Sequence, residues 1–178
     1  MEKRIIEEFV QNALYRMDES TRMNTIALSQ LSEADIWQKP NQNLNSVGNL
    51  ILHLCGNITQ YVISSLGETE DMRERDLEFE TTSGPTKAEL LQKLTETVDT
   101  AKRVINDAPI EQLIRKREVQ GFYFSGIGVV LHAVEHYSYH TGQIAFWTKQ
   151  LKNKDLGFYN GRDLNIKSPL TPKGGTKN

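Results

Sequence analysis

The sequence predicts an all-α protein, a four-helix bundle of the up-down-down-up type with a long crossover between its second and third helices. Apolar residues recur at helical spacing in four long segments. Residues typical of helix N-caps precede three of these segments, and polar or Gly- and Pro-containing stretches separate them. A chain of 178 residues is long enough for one such domain to bury a core without disulfides.

The first helix is predicted from Glu2 to about Leu31, where apolar residues recur at mostly helical spacing between charged ones and no proline interrupts the pattern. Ser32 with Asp35 then indicates a short helical turn. Pro40 breaks that turn, and a loop leads to the second helix.

The second helix is predicted from Val47 to Leu66, with Ser46 as its N-cap and Gly67 at its end. The following residues, 68–85, are too charged for a core element and long for a connection within a compact domain. We therefore expect a crossover that runs over the surface.

The third helix is predicted to begin after a capping box of Thr86 and Glu89 and to continue to about Asp107. Pro109 can open a short turn after it. The next segment, RKREVQGFYFSG, is too brief to decide between an extended structure and a loop.

The fourth helix is predicted to begin after Ser125 and to run to about Leu151. Its apolar stretch contains three histidines and several small polar residues, which indicates a buried helix and not a membrane span. The bundle should thus occupy residues 1–152. Residues 153–178 form a C-terminal extension rich in Lys, Gly, Pro and Thr, and its end should be poorly ordered.

Charge and cysteine content narrow the expected partners and compartment. Lys and Arg number 21 and Asp and Glu 23, for a net charge of -2, so no positive field attracts nucleic acid or an anionic membrane. Cys55 is the single cysteine and cannot form an intramolecular disulfide, and the N-terminus lacks the residue order of a signal peptide. These features predict a cytoplasmic protein that binds neither nucleic acid nor membrane.

Three of the four histidines, His132, His136 and His140, recur at intervals of four on the predicted fourth helix. Successive members are offset by about 40° and rise by about 6 Å, so all three project from one face and any adjacent two can chelate one ion. The remaining histidine, His53, lies on the second helix. Bundle sites are built from facing helices, so His53 can supply a third ligand.

Metal binding competes with a structural interpretation, in which each histidine is partly buried and hydrogen-bonded to a neighbour. The residues around the histidine row, such as Val129, Ala133 and Ile144, are apolar, and a buried row of unpaired imidazoles is costly. This favours a metal, because neutral imidazole is a good ligand for Zn, Ni, Cu and Fe(II). The spacing alone does not choose between the two adjacent pairs of the fourth helix.

The stretches NLILHLCGNI and HYSYHTGQIAF resemble the DinB/YfiT-like superfamily of helical-bundle metalloproteins, over about residues 2–151. In that superfamily a histidine of helix two joins an H-x-x-x-H pair whose second histidine commonly opens an H-R-G-Q-like stretch. The resemblance implies His53, His136 and His140 as metal ligands. It leaves His132 outside the ligand set, as a pocket residue or a structural one, and Thr141 stands where arginine is common.

The resemblance also implies a function. Zn or Ni is the expected divalent transition metal, with Fe or Mn as alternatives, and three histidines leave a coordination position open. Some members transfer a low-molecular-weight thiol such as bacillithiol or mycothiol to a small electrophile, which would make such a thiol and a small-molecule substrate the partners. Others are metal-dependent hydrolases that use metal-activated water.

A non-catalytic, dimeric metal-binding protein is the alternative of a different class. Apolar residues of the fourth helix lie largely opposite the histidine row, and burial on two sides suggests a homodimer. These residues are Ile127, Val130, Leu131, Val134 and Ile144.

Four other polar residues near the histidines are weaker candidates. Asn57 and Gln143 lie close to the site face and could orient water, although ordinary interhelical hydrogen bonds are expected. Glu135 points about 100° away from its neighbour His136, and Cys55 lies about 200° around the helix from the second-helix histidine. We therefore expect neither Glu135 nor Cys55 to bind the ion.

Overall fold

The computed structural model describes residues 2–168 and has the predicted all-α architecture with one small hairpin. In chain order the elements are α1 Glu2–Gln30, α2 Glu33–Ile36, α3 Val47–Ile58, α4 Arg75–Glu80, α5 Lys87–Asp107, α6 Ile110–Ile114, β1 Lys116–Val119, β2 Phe122–Ser125 and α7 Gly126–Lys152. A π-helix, Thr59–Leu66, continues α3. The end of the C-terminal extension, for which the sequence predicts poor order, lies outside the described residues.

The long helices begin at the predicted caps. The Ser46 hydroxyl accepts the backbone N–H of Asn49 at 3.1 Å, and the Asn49 side chain accepts the Ser46 N–H at 3.1 Å. Thr86 and Glu89 form the same reciprocal arrangement at the start of α5, and Ser125 caps α7. Each cap satisfies backbone donors that the first turn of a helix leaves free, so these starts are set locally by sequence.

Two contacts give the direction of α1 relative to α5. Asp18 of α1 pairs with Lys102 of α5, and the Leu31 carbonyl accepts a hydrogen bond from the Lys87 ammonium. Low residue numbers of α1 therefore meet high numbers of α5. The two helices are antiparallel.

The remaining directions follow in the same way. Thr21 bonds to Tyr137 at 2.9 Å and Asn24 to Thr141 at 2.9 Å, so α1 and α7 are parallel. The helix α3 runs against α7, because His53 lies beside His140 whereas the later Asn57 lies beside the earlier His132. It runs with α5, because Cys55 lies beside Thr97 and Gly67, at the end of the π-helix, lies beside Val104. The bundle is up-down-down-up, as predicted.

One core lies between the four long helices. Its largest fully buried side chains come from each of them and from two short elements: Tyr61, Tyr137, Met17, Leu28, Ile36, Ile51, Leu54, Ile58, Leu90, Leu94, Ile105 and Leu113. Beyond α7, Leu156 is also buried, and the Phe158 carbonyl accepts a hydrogen bond from Arg22. Among the described residues, no helix has both the length and the apolar character needed to cross a membrane.

The second long helix changes its hydrogen-bond pattern in its last two turns. The backbone N–H groups of Gly67 and Thr69 bond to carbonyls five residues earlier, those of Val62 and Ser64, at 3.0 Å each. The sequence predicted the end of this helix correctly, but not the wider π-helical turn. Widening rotates the later side chains relative to an α-helix. Tyr61, which lies in this π-helix, is fully buried.

The crossover between α3 and α5 is not wholly on the surface, and the prediction was wrong at two of its charged residues. The side chains of Arg73 and Glu78 are only 3% and 9% exposed. The short helix α4 turns Glu78 onto α3, and Asn49 holds it there by donating to the carbonyls of Glu78 and Thr81 at 2.9 and 2.6 Å. Charged residues can be buried when they pair with each other.

The segment that the sequence left open is an antiparallel hairpin. Val119 of β1 lies opposite Phe122 of β2, and the two turn residues Gln120 and Gly121 have φ of 52° and 78°. Two left-handed residues in a two-residue turn match the twist of a hairpin. The Gln120 side chain accepts a hydrogen bond from the Tyr61 hydroxyl at 3.1 Å, which places the turn beside the π-helix.

The apolar face of α7 that suggested a homodimer is largely covered by this chain itself. Val130 and Ile144 are fully buried in the bundle, where α1 packs along α7, whereas Leu131 is 55% exposed. Burial on both sides of α7 therefore does not require a second chain. The homodimer stays a prediction.

Candidate metal centre

Three histidines meet between α3 and α7. The ring centroid of His53 lies 5.0 Å from that of His136 and 4.9 Å from that of His140, and the latter two are 4.4 Å apart. One ring nitrogen from each of the three lies within 4.8 Å of the others. The structure thus brings together the three histidines that the resemblance implied.

Helix geometry explains the meeting. His136 and His140 are one turn apart on α7 and share a face, as their spacing predicts. His53 is buried on the neighbouring, antiparallel α3 and reaches both of them. The Nε2 atoms of His53 and His136 are 2.9 Å apart.

A buried ion pair from the crossover contacts the outer nitrogen of His53. The Nδ1 atom of His53 lies 2.8 Å from Glu78 Oε2, and Arg73 donates to both oxygens of that carboxylate, at 2.7 and 2.9 Å. Burial would raise the pKa of Glu78, but the hydrogen bonds and charges of Arg73 and His53 outweigh it and leave the pKa below its ordinary value. The carboxylate is ionised and can only accept a hydrogen bond, so Nδ1 of His53 carries a proton, and Nε2 on the other side of the ring faces His136.

The approach of Glu78 to α3 depends on a glycine. A Cβ atom at Gly56 would lie 1.8 Å from Glu78 Oε1 and 2.9 Å from Arg73 Nε. Any larger residue at this position would have to displace the ion pair from its place beside His53.

The outer nitrogen of His140 is held by its own helix. Its Nδ1 lies 2.6 Å from Gln143 Oε1, an acceptor, so Nδ1 carries the proton and the Nε2 lone pair of His140 is also free. Burial lowers the pKa of His140, Gln143 raises it and the nearby His53 lowers it, with a net decrease. The imidazole is therefore neutral.

The third histidine is neutral as well. Burial, followed by the proximity of His140, His53 and His132, lowers the pKa of His136 to about 3. Among the hydrogen bonds of the described residues, none engages Nδ1 of His136. Its proton can therefore sit on either nitrogen.

These donors fit a divalent transition metal. Imidazoles are good ligands, and in His53 and His140 an acceptor holds a proton on the far nitrogen, which leaves Nε2 towards the ion. Tetrahedral ligands about 2.0–2.1 Å from an ion are roughly 3.3 Å apart. The separations here, from 2.9 Å to at most 4.8 Å, bracket that value. The cluster could hold a metal ion, and the identity of the metal stays open.

A comparison with models of protein families finds one that matches most of the chain. The profile of a family described as protein of unknown function, DUF1572, matches residues 4–159. The chain belongs to the DUF1572 family. No protein with a curated description matches it in sequence.

Solved structures similar to this DUF1572 protein include a DinB-like protein, YjoA, from Bacillus subtilis and a conserved protein from Enterococcus faecalis. The first is 18% identical with a TM-score of 0.62, covering 85% of this chain and 96% of its own. The second is 18% identical with a TM-score of 0.69, covering 81% and 97%. The fold is DinB-like, and the resemblance seen in the sequence is confirmed.

In this DUF1572 chain Thr141, which replaces the common arginine, is structural. Its hydroxyl accepts a hydrogen bond from Asn24 at 2.9 Å and donates one to the Tyr137 carbonyl at 2.8 Å. The residue is buried between α1 and α7. It therefore joins two helices and places no cation at the site.

The fourth histidine lies beside the trio. His132 stacks on Tyr61 with ring centroids 4.0 Å apart, and its centroid lies 5.4 Å from that of His136. Its Nε2 is 3.4 Å from the side-chain nitrogen of Asn57. His132 is thus a neighbour of the three histidines.

Of the weaker candidates, Gln143 contacts a histidine of the trio directly, whereas Glu135 is exposed on α7. Cys55 is buried, and burial raises the pKa of its thiol to about 12. Arg73 and Glu78 were not predicted from the sequence. Their only signal was an Arg and a Glu five residues apart in a segment rich in both residue types, which does not single them out.

Proposed function

We propose that this protein binds a divalent transition metal, Zn or Ni, through His53, His136 and His140 and uses it to transfer a low-molecular-weight thiol to a small electrophile. The observation that carries the proposal is the set of three converging imidazoles, two of which, those of His53 and His140, have acceptors on the ring nitrogen away from the centre. When bound, the ion would supply a Lewis acid that lowers the pKa of a thiol and stabilises its thiolate.

The thiol must come from solution. The only cysteine of the chain, Cys55, is 2% exposed and its pKa is raised to about 12, so it is neither accessible nor ionised at neutral pH. In the proposed step the sulfur of a small thiolate forms a bond to the electrophilic carbon. The leaving group departs with its bonding electrons, and the thiol proton passes to solvent.

Hydrolysis has less support. A metal-dependent hydrolase commonly uses a carboxylate beside the ion as general base. Glu78 is the carboxylate that contacts the trio, and both of its oxygens are occupied by Arg73 and His53. Thiol transfer needs no such base, because a thiolate is already a strong nucleophile.

Metal analysis with matched histidine variants tests the ligand set. We expect about one equivalent of metal in the wild type, and its loss in His53→Ala, His136→Ala and His140→Ala. His132→Ala is the control, since it removes an imidazole from the same face of α7 but outside the trio. A metal-free wild type, or equal loss of metal in the control, would contradict the assignment.

The reaction class needs a separate assay. Metal-loaded protein is incubated with several low-molecular-weight thiols and activated aryl or alkyl halides, and with ester and amide substrates. We expect metal-dependent consumption of free thiol with release of halide. If the loaded protein cleaves esters or amides and consumes no thiol, the transferase proposal is wrong and the hydrolase takes its place.

A further inference from the structure

A cleft of about 490 Å³ opens beside His140. One wall is the loop before α3, with Leu44, and the other is the C-terminal half of α7, with Phe146 and Trp147. Its volume lies within the range of small-molecule sites, about 300–1,000 Å³.

Two residues that line the cleft also contact His140. Gln143 and Tyr139 both line it, and the Gln143 side chain joins them to the trio by accepting from His140 at 2.6 Å and donating to the Tyr139 hydroxyl at 3.1 Å. The Tyr139 ring also lies edge-on to His140, with centroids 4.9 Å apart. A molecule in the cleft would therefore contact the residues that surround one proposed ligand.

The lining is uncharged and largely apolar. Among the described residues that form the cleft none is charged, and Leu44, Tyr139 and Phe146 are 49%, 61% and 70% exposed. Clustered exposed apolar residues mark binding surfaces.

A larger groove behind the Arg73–Glu78 pair has a mixed lining. Its apolar residues, among them Leu52, Met72 and Leu77, lie beside charged ones, namely Glu70, Glu74, Glu96 and Lys93. A molecule in this groove would lie on the far side of the ion pair from the trio and next to charged side chains, which the lining of the cleft lacks.

We infer that the cleft beside His140 binds the electrophile, and that this electrophile is uncharged and largely apolar. This inference rests on the proposed function, because it names the substrate class of the same site. An anionic electrophile is disfavoured, since no side chain of the described lining is cationic and only an ion held by the trio, beyond His140, would offset its charge.

Binding of a matched pair of unreactive probes tests the inference. 1,3-Dinitrobenzene is neutral, and 3,5-dinitrobenzoate has the same aromatic body with a negative charge. The full chain contains two tryptophans, so its indole N–H resonances can be followed by NMR with and without metal. The Trp37 indole donates to the Pro85 carbonyl at 3.2 Å and serves as the internal reference. We expect a saturable shift at Trp147, with the benzoate at least tenfold weaker.

Two variants change the cleft by different means. A Cβ atom at Gly142 meets nothing within 4 Å, so the side chain of Gly142→Leu begins in open space and reduces the volume of the cleft, and Phe146→Glu adds a charge. Each should weaken dinitrobenzene binding at least tenfold and leave the metal content unchanged. Leu131→Glu, also exposed on α7 but outside the cleft, should bind as the wild type.

Three results would overturn the inference: no saturable shift at Trp147, equal affinity for both probes, or unchanged binding in both cleft variants. A wild-type dimer that binds neither probe and that Phe146→Glu converts to a monomer would assign the cleft to a second copy of the chain instead. Failure of the proposed function is distinguishable, because it appears as a wild type without metal whether or not the probe binds.

Discussion

At the scale of single residues, the side chains that contact Nδ1 of His53 and of His140 determine which ring nitrogen of each histidine faces the centre of the trio. Glu78 accepts a hydrogen bond from Nδ1–H of His53 and Gln143 from Nδ1–H of His140, which directs the Nε2 atom of each ring to the centre of the trio. Removal of a carboxylate that accepts a hydrogen bond from a metal-ligating histidine typically weakens metal affinity by about 10–100-fold. The two acceptors differ in one respect, since Glu78 is charged and is itself paired with Arg73.

Replacing Glu78 with glutamine should weaken metal binding by about 10–100-fold, because the amide is a poorer acceptor and no longer offsets the Arg73 charge. The measurement is competition with a chelator of known affinity. Glu74→Gln is the matched control, since Glu74 is exposed on the same segment. Equal affinities of the two variants would mean that Glu78 serves only to pair Arg73.

The pKa of His136 predicts a pH dependence of stability in the metal-free protein. Burial and the neighbouring histidines lower this pKa from an ordinary 6.5 to about 3, so between these values the unfolded chain binds a proton that the folded chain does not. Folding stability is therefore lost as the pH falls from about 6.5 towards 3. Between pH 7 and pH 4.5 we expect a loss of about 1–3 kcal/mol from this group, allowing for solvent screening.

Urea unfolding of wild type and His136→Asn at both pH values measures this contribution. The variant lacks the titrating group but retains His132 and His140, whose pKa values burial also lowers. Its stability should fall less between pH 7 and pH 4.5 than that of the wild type. Equal losses would show that His136 titrates alike in the folded and unfolded chains.

At the scale of secondary-structure elements, two helical glycines have opposite roles. Gly142 in α7 has open space where its Cβ would be, whereas a Cβ at Gly56 in α3 would meet the Arg73–Glu78 pair. Glycine within a helix is less stable than alanine by roughly 0.5–1 kcal/mol. A side chain would therefore fit at Gly142 and add stability, whereas Gly56 is needed because a Cβ atom there would obstruct the approach of α4.

The same substitution at both glycines should thus give different results. Gly142→Ala should raise the free energy of unfolding by about 0.5–1 kcal/mol and leave metal affinity unchanged. Gly56→Ala should gain less stability, or lose some, and should bind metal more weakly because the pair must move away from His53. Denaturant unfolding and chelator competition measure the two effects, and matching behaviour of the variants in both would contradict this account.

At the scale of the whole molecule, an ion held by the trio would connect α3 to α7, two helices far apart in the sequence. Any ligand that binds the folded chain alone stabilises it by mass action, by about 2.7 kcal/mol at a free concentration of 100 Kd. Zinc should therefore raise the urea midpoint of the wild type and of His132→Ala. It should have little effect on His53→Ala, and an equal rise in all three would point to metal binding elsewhere.

Much of the fold was predictable because its signals are local. Ser46, Thr86 and Ser125 each satisfy backbone donors within their own first turn, so the helix starts could be read from neighbouring residues. The hairpin was left open because its apolar pattern spans only a few residues. The π-helical turn was missed because local spacing did not reveal the change in hydrogen bonding, and its buried Tyr61 packs against the distant His132.

The sequence by itself determined the four helices, their caps and a row of histidines on one face of the last helix. The resemblance selected His136 and His140 to join His53, although helix spacing allowed either adjacent pair. Only the tertiary structure decided that this trio meets, and that Arg73 and Glu78 leave the surface to hold His53. The reason is physical: caps and periodicity act over one or two turns, whereas these contacts join side chains that only the packing of α4 and α7 against α3 brings together.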